Sequence, residues 1–296
     1  MINIKLQKMK YLKKIFAGIT ILTISSLMLT SCASDDLKIN TEANEQNLEI
    51  ATTQTEIDNV SEEINDIGES IYLMYGNTLA SKNSNTKNEI QGRELPECLT
   101  ITKTITFSKI NITLDYGEGC SNSNDNYLSG KIMLAIGFDL GERSISIDYT
   151  FDNFFFNGKQ IEGEMNKTKI RLNNNGNPVT TITKDIKIIW EDGTFITVKG
   201  ERQREWIEGF GDKIWGNNIF SSTGTWTIID NNGIEKSVKI ITPLIRKAAC
   251  RFIVSGVVEI NANGTNIIVD YGDGTCDNIA IATSNGNEYE IELGKR

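Results

Sequence analysis

Four cysteines carry the clearest spacing for chemistry in this chain. Leu114-Asp115-Tyr116-Gly117-Glu118-Gly119-Cys120 matches Val269-Asp270-Tyr271-Gly272-Asp273-Gly274-Thr275-Cys276 with one insertion, and each copy follows another cysteine, Cys98 or Cys250. The midpoints of the two pairs, positions 109 and 263, fall on expected hairpin turns. Folding there brings Cys98 beside Cys120 and Cys250 beside Cys276, one of the three connectivities that four cysteines allow. A two-residue turn at Ser108-Lys109 sets Phe107 opposite Ile110, Ile105 opposite Ile112 and Ile101 opposite Tyr116, an apolar face throughout. Cys98 then faces Gly119, one residue short of Cys120, and the second copy also misses by one. A one-residue bulge in the glycine-rich segment would absorb the slip. Each such bridge is worth about 3 kcal/mol through loop entropy.

Other side chains offer weaker chemistry. Asp270, Asp273 and Asp277 cluster beside glycines and could hold calcium, although the spacing departs from an EF-hand loop and the first copy keeps only Asp115, Glu118 and Asp125. A solvated acidic turn is the competing reading, so no metal and no cofactor is expected. Arg202, Arg204 and Trp206 share one strand face with Ile196, Val198 and Gly200. That grouping suits a sugar-stacking or anionic-glycan platform, or else an apolar strand whose exposed end stacks arginine stems over an indole. Glu162, Glu164, Glu201, Glu205 and Glu208 are numerous enough for glycoside hydrolysis, which needs two carboxylates about 5–10 Å apart in a cleft. Acids alternating with apolar residues are also the ordinary solvent face of a strand. The chain has no histidine, which excludes Ser-His-Asp and Cys-His catalysis and zinc sites built on imidazole.

The elements that position these groups begin with a leader. Lys5, Lys8, Lys10, Lys13 and Lys14 precede an uncharged apolar run from Ile15 to Leu29, too short to span a bilayer and of the length of a secretory core. Leu29-Thr30-Ser31-Cys32 closes it and resembles the lipobox of bacterial lipoproteins. The resemblance implies a signal peptide over 1–31, an acylated Cys32 as first mature residue, and anchorage in the outer membrane. Ser34-Asp35-Asp36 is similar to the acidic tract of surface-exposed lipoproteins in Bacteroidota-type bacteria. An even four cysteines beyond Cys32 fit an oxidising compartment.

The full chain has 30 basic and 39 acidic residues, net −9. The leader holds five lysines and no acid, so 32–296 carry net −14, of which 35–70 hold eleven acids against Lys38 alone. The acidity is therefore assigned to a stalk, and no basic footprint for nucleic acid is present. Residues 32–52 read as an acidic tether. Ile57, Val60, Ile64, Ile67 and Ile71 recur at helical spacing, and Thr53 with Glu56 makes a capping box, so 53–76 is expected as an amphipathic helix of roughly 30 Å ending at Gly76. It is expected to dock on the body or on a partner. A polar linker covers 77–95.

From 96 to 296 nearly every segment alternates with period two, giving about thirteen expected strands. Asn157-Gly158, Asp192-Gly193, Asn232-Gly233, Asn263-Gly264 and Asn285-Gly286 supply hairpin turns. Gly130, Gly163, Gly200, Gly224 and Gly256 open new runs at irregular intervals, as glycines at bends or bulges would. The expected fold is all-β, an antiparallel meander of hairpins forming a sandwich or a large rolled sheet, preceded by one helix. Asp270–Thr275 looks like the signature of PKD-type adhesion repeats, but only as a shared turn. The whole arrangement resembles uncharacterised Bacteroidota-type lipoproteins, which implies location and β architecture and no activity. The expected role is non-catalytic binding, adhesion or scaffolding with a protein or glycan partner in the envelope. The alternative is a glycan-active surface lipoprotein.

Overall fold

Alternation with period two becomes a single antiparallel sheet. The computed structural model describes residues 33–75, 94–106, 109–139, 144–170 and 172–294, so the leader, Cys32 and most of the expected linker lie outside the described residues. One helix, α1 (Ala33–Tyr75), precedes β1 (Thr100–Ile105), β2 (Lys109–Asp115), β3 (Cys120–Ser121), β4 (Tyr127–Asp139), β5 (Ser144–Phe156), β6 (Lys159–Ile170) and β7 (Val179–Ile189). The chain continues through β8 (Phe195–Glu208), β9 (Ile219–Asp230), β10 (Glu235–Lys247), β11 (Ile253–Ala262), β12 (Thr265–Asp273), β13 (Ile279–Ser284) and β14 (Asn287–Glu292). Each strand pairs with its sequence neighbour, except that β2 and β3 lie end to end along β4 as two parts of one interrupted strand. The result is an open meander in one sheet, the rolled alternative rather than the two-sheet sandwich.

The chain divides into two units, Met1–Thr41 and Glu42–Arg296, and the second contains the whole sheet and α1 from Glu42 onward. All twelve residues from Val60 to Ile71 are buried. A helix covered on every side needs neighbours all round it, and these come from the inward faces of strands along most of the sheet. Ile57, Val60, Ile64, Ile67 and Ile71 join one hydrophobic core with inward residues such as Ile112, Leu134, Ile186, Val198 and Val258. At Gly68 the approach is closest, since a Cβ there would fall 1.7 Å from the Tyr149 hydroxyl.

The helix also runs through the stretch expected to be a tether. Ala33, the first described residue, is already helical, and Thr53 is an interior residue instead of a cap. Seven of the ten residues 42–51 are Ala, Glu, Gln or Leu, all good helix formers, so propensity and the downstream packing carry the helix back through them. The proposed stop at Gly76 lies outside the described residues.

The five Asn-Gly and Asp-Gly pairs assigned to turns all sit between consecutive paired strands. At 157–158, 263–264 and 285–286 both central residues have positive φ, the two-residue turn that matches strand twist. The first hairpin pairs Ile105 with Ile110 and Ile101 with Leu114, two residues away from the expected register. A slip of two preserves which face points inward, so the apolar side is unchanged. Register shifts fall beside Gly130, Gly163 and Gly256, as expected of bulges. At Gly130 (φ +75°) a Cβ would lie 1.8 Å from the Asn153 carbonyl oxygen, so only glycine fits that bend.

Candidate functional site

Asp58, Glu62, Asp66 and Glu69 follow one another by four, four and three residues, which aligns them along one face of α1. Opposite them the sheet turns six cations inward: Lys167 and Lys169 on β6, Lys184 on β7, Arg202 and Arg204 on β8, and Arg246 on β10. All ten groups are buried. Arg202 reaches Asp58 at 2.5 Å and Glu62 at 2.8 Å. Arg204 contacts Asp66 at 2.7 Å, Arg246 meets the other oxygen of Asp66 at 2.9 Å, and Lys169 pairs with Glu69. Lys167 donates to the Asn65 carbonyl and Lys184 to the Ser61 hydroxyl. Asp58 also accepts from Gln54 and from the Tyr271 hydroxyl, at 2.7 and 2.6 Å.

Burial and pairing set the charges. Burial pushes the Glu69 carboxyl up, yet Lys169 and Lys167 together outweigh it and hold it below its usual range. Burial disfavours the charged forms of Arg202 and Arg204, and the facing carboxylates more than restore them. Lys167 and Lys184 lack a direct carboxylate contact, and burial brings each down to about 7. Tyr271 and Tyr149 are pushed well above 10 by burial, with carboxylates nearby adding to the effect. The seam therefore sets four acids against six basic side chains, two of them lysines poised near neutrality.

A second device grips the helix from another side. The Glu63 carboxylate accepts amide hydrogens from Asn122, Asn124 and Asn126, at 2.7, 3.0 and 3.1 Å. These alternate asparagines occupy the turn between β3 and β4. The Asn122 side-chain oxygen is already taken by the backbone N–H groups of 124 and 126, which forces its NH₂ toward the glutamate. The pattern recurs between β6 and β7. There Asn173 and Asn177 donate to Glu205 at 3.0 and 2.7 Å, and the Asn173 oxygen accepts from the N–H groups of 175 and 177. Both loops are claws for a carboxylate, one holding a helix residue and the other a strand residue.

The duplicated motif makes the two expected disulfides. Cys98 bonds to Cys120 and Cys250 to Cys276, with Cα separations of 5.9 and 5.3 Å. In the first copy the glycine-rich segment 116–119 does loop out, carrying two extra residues against β4 where a one-residue bulge was expected, but the second copy closes differently. Cys98 and Cys250 lie in turns outside their strands, and the register shift near Gly256 inserts its extra residue on β12, the arm that does not need it. Turns supply the closure because their backbone is free of ladder register.

The remaining candidates divide: the arginine–tryptophan group lies deeper than either of its readings put it, whereas the aspartates and most of the glutamates lie exposed, as their solvated readings have it. Arg202, Arg204 and Trp206 form no surface platform: they are 2%, 5% and 4% exposed. Arg202 stacks over Trp226 and Arg204 over Phe220, while the Trp206 ring lies under Lys169 and its N–H donates to the Glu208 carbonyl and to Asn218. The correction is physical, since guanidinium groups can be inward when carboxylates wait for them. Glu162, Glu164, Glu201 and Glu208 lie exposed on the outer face, and the Asn177 and Asn173 amides hold Glu205 below the usual carboxylate range, the wrong direction for a general acid. Asp270 and Asp273 are exposed on β12 and Asp277 on the segment that follows it, and they accept from Gly272, from Thr275, and from Thr275 and Ile279. Among the described residues, no group of three acids or cysteines is placed to hold a metal.

The helix acids, the inward lysines, Arg246 and both asparagine claws were not anticipated. Their signals were the acid spacing on α1 and the two Asn-x-Asn-x-Asn triplets. Compared with known protein families, curated proteins and solved structures, the chain finds no match.

Proposed function

We propose that this is an exported, lipid-anchored envelope protein with a non-catalytic binding, adhesion or scaffolding role, acylated at Cys32, held in the bacterial outer membrane and displayed at the surface. One observation carries the non-catalytic part of the reading. The concave face of the sheet, where β proteins commonly hold ligands, is filled by the protein's own helix, and its ionised groups are engaged in seating that helix. A protein or glycan partner would then meet the outer face, which presents threonines and alternating charges. The disulfides agree with an oxidising space, and no described helix is long and apolar enough to cross a membrane.

Two measurements test the proposal in cells. Metabolic labelling with an alkyne fatty acid should tag the full-length protein and fail on Cys32→Ser, and equal labelling of the variant would remove the anchor. Photo-crosslinking residues at the outward positions 199, 201 and 239 should give a discrete adduct with one envelope component. Outer positions that all yield none would defeat the binding role.

A further inference from the structure

The two disulfides do more than close their hairpins, because each ends next to a grip on α1. Cys120 lies two residues before Asn122, and β3, which carries Cys120, leads directly into the claw on Glu63. The Cys98–Cys120 bridge ties that short strand to the segment before β1, so it fixes the base of the claw. At the second bridge, the turn that ends in Cys250 presents the carbonyls of Lys247 and Cys250 to the Arg246 guanidinium. Those two bonds aim the other end of Arg246 at Asp66. Five residues before Cys276, Tyr271 donates to Asp58. In the first copy the corresponding Tyr116 is buried beside Ile67 and Ile71 of the same helix.

We infer that the duplicated Asp-Tyr-Gly-x-Gly-Cys hairpins are redox locks on the central helix: opening the bridges releases α1 from its seat while the sheet stays folded. The sheet has its own continuous ladder from β4 to β14, whereas the seat depends on groups that the bridges orient. The chemistry is thiol–disulfide exchange with a dithiol reductant. One of its thiolates attacks a bridge sulfur, forming a mixed disulfide and expelling the other cysteine as thiolate. The second reductant thiol displaces the remaining protein sulfur. Two electrons and two protons pass to the protein, which ends with two thiols, and the reductant leaves as a disulfide. Access exists at both bridges, since Cys276 is exposed and Cys98 and Cys120 are half-buried. Release would uncover a concave face bearing six cations between apolar walls, a surface matched to an acidic amphipathic helix.

Hydrogen exchange read by mass spectrometry on protein purified from membranes tests this, comparing the 56–72 peptide with peptides from β8 and β9. In the oxidised protein all three should exchange slowly. After dithiothreitol the helix peptide should speed up by about tenfold or more while the strand peptides change less than about twofold. Cys98→Ser/Cys120→Ser and Cys250→Ser/Cys276→Ser should each give part of that rise. A third variant, Glu63→Gln with both bridges intact, should loosen the helix in the same way, because it weakens the claw without touching sulfur. Helix and strands speeding up together would mean that the bridges only add global stability, and an unchanged helix peptide would mean that they do not reach the seat. Either outcome overturns the inference.

Discussion

Arg246 with Asp66 and Lys199 with Asp185 have the same nitrogen–oxygen distance, 2.9 Å, on opposite faces of one sheet. The inner pair is 3% and 0% exposed, the outer pair 54% and 52%. Geometry is thus equal and environment is not. An inner charge has left water, so it depends on its partner, whereas an outer charge has solvent to fall back on. The sheet uses charge inside to specify where a helix sits, and outside to stay soluble.

The largest effect follows from removing the acid that two arginines share. Asp66→Ala leaves Arg204 and Arg246 facing a lost partner, and should destabilise by about 3–5 kcal/mol in urea unfolding. A loss below about 1 kcal/mol would show that the seam is far wetter than its burial indicates. Next come the claws, which repeat the comparison with one motif. Glu63→Ala strands three amide donors against the buried helix and should lose about 2 kcal/mol, against less than about 1 kcal/mol for Glu205→Ala near the surface. Equal losses would erase the distinction between the two faces.

A third prediction concerns pH. Lys184 titrates near 7 when folded and near its ordinary value when unfolded. Below pH 7 both states are protonated and the burial penalty is fully present. Between pH 7 and about 10 the unfolded chain binds more protons, so stability should rise with pH. Lys167 acts in the same sense. Above pH 10 Tyr149 and Tyr271 keep protons that the unfolded chain loses, and stability should fall again. Lys184→Met should flatten the rising limb and gain on the order of 1 kcal/mol at neutral pH. A slope unchanged in the variant would mean that Lys184 remains charged when folded.

These effects explain which parts of the molecule the sequence discloses. Strands, turns and disulfide partners were legible because they depend on local rules: alternation, positive-φ residues and matched spacing. The apolar helix face was legible for the same reason. Its acidic face was misread as a stalk because solvation is the usual fate of Asp58, Glu62 and Asp66, and nothing local to α1 reveals cations more than 100 residues away. Yet Arg202 and Arg204 already shared the apolar side of their strand with Val198. Inward positions bearing charge on β6, β7, β8 and β10 call for a buried counter-charge, and a stripe of acids four residues apart is what could answer them. The outward pairs carry no such demand.

The smallest prediction is therefore the most discriminating for the outer face. Lys199→Ala breaks the ion pair to Asp185 at the same distance as the inner pair. Both partners are more than half exposed, so water replaces the lost contact and salt already screens it. Its stability change should stay within about 0.5 kcal/mol, and raising salt should shrink even that. A loss approaching that of Asp66→Ala would mean that the outer face is covered in the folded protein, and that a partner is already seated on it.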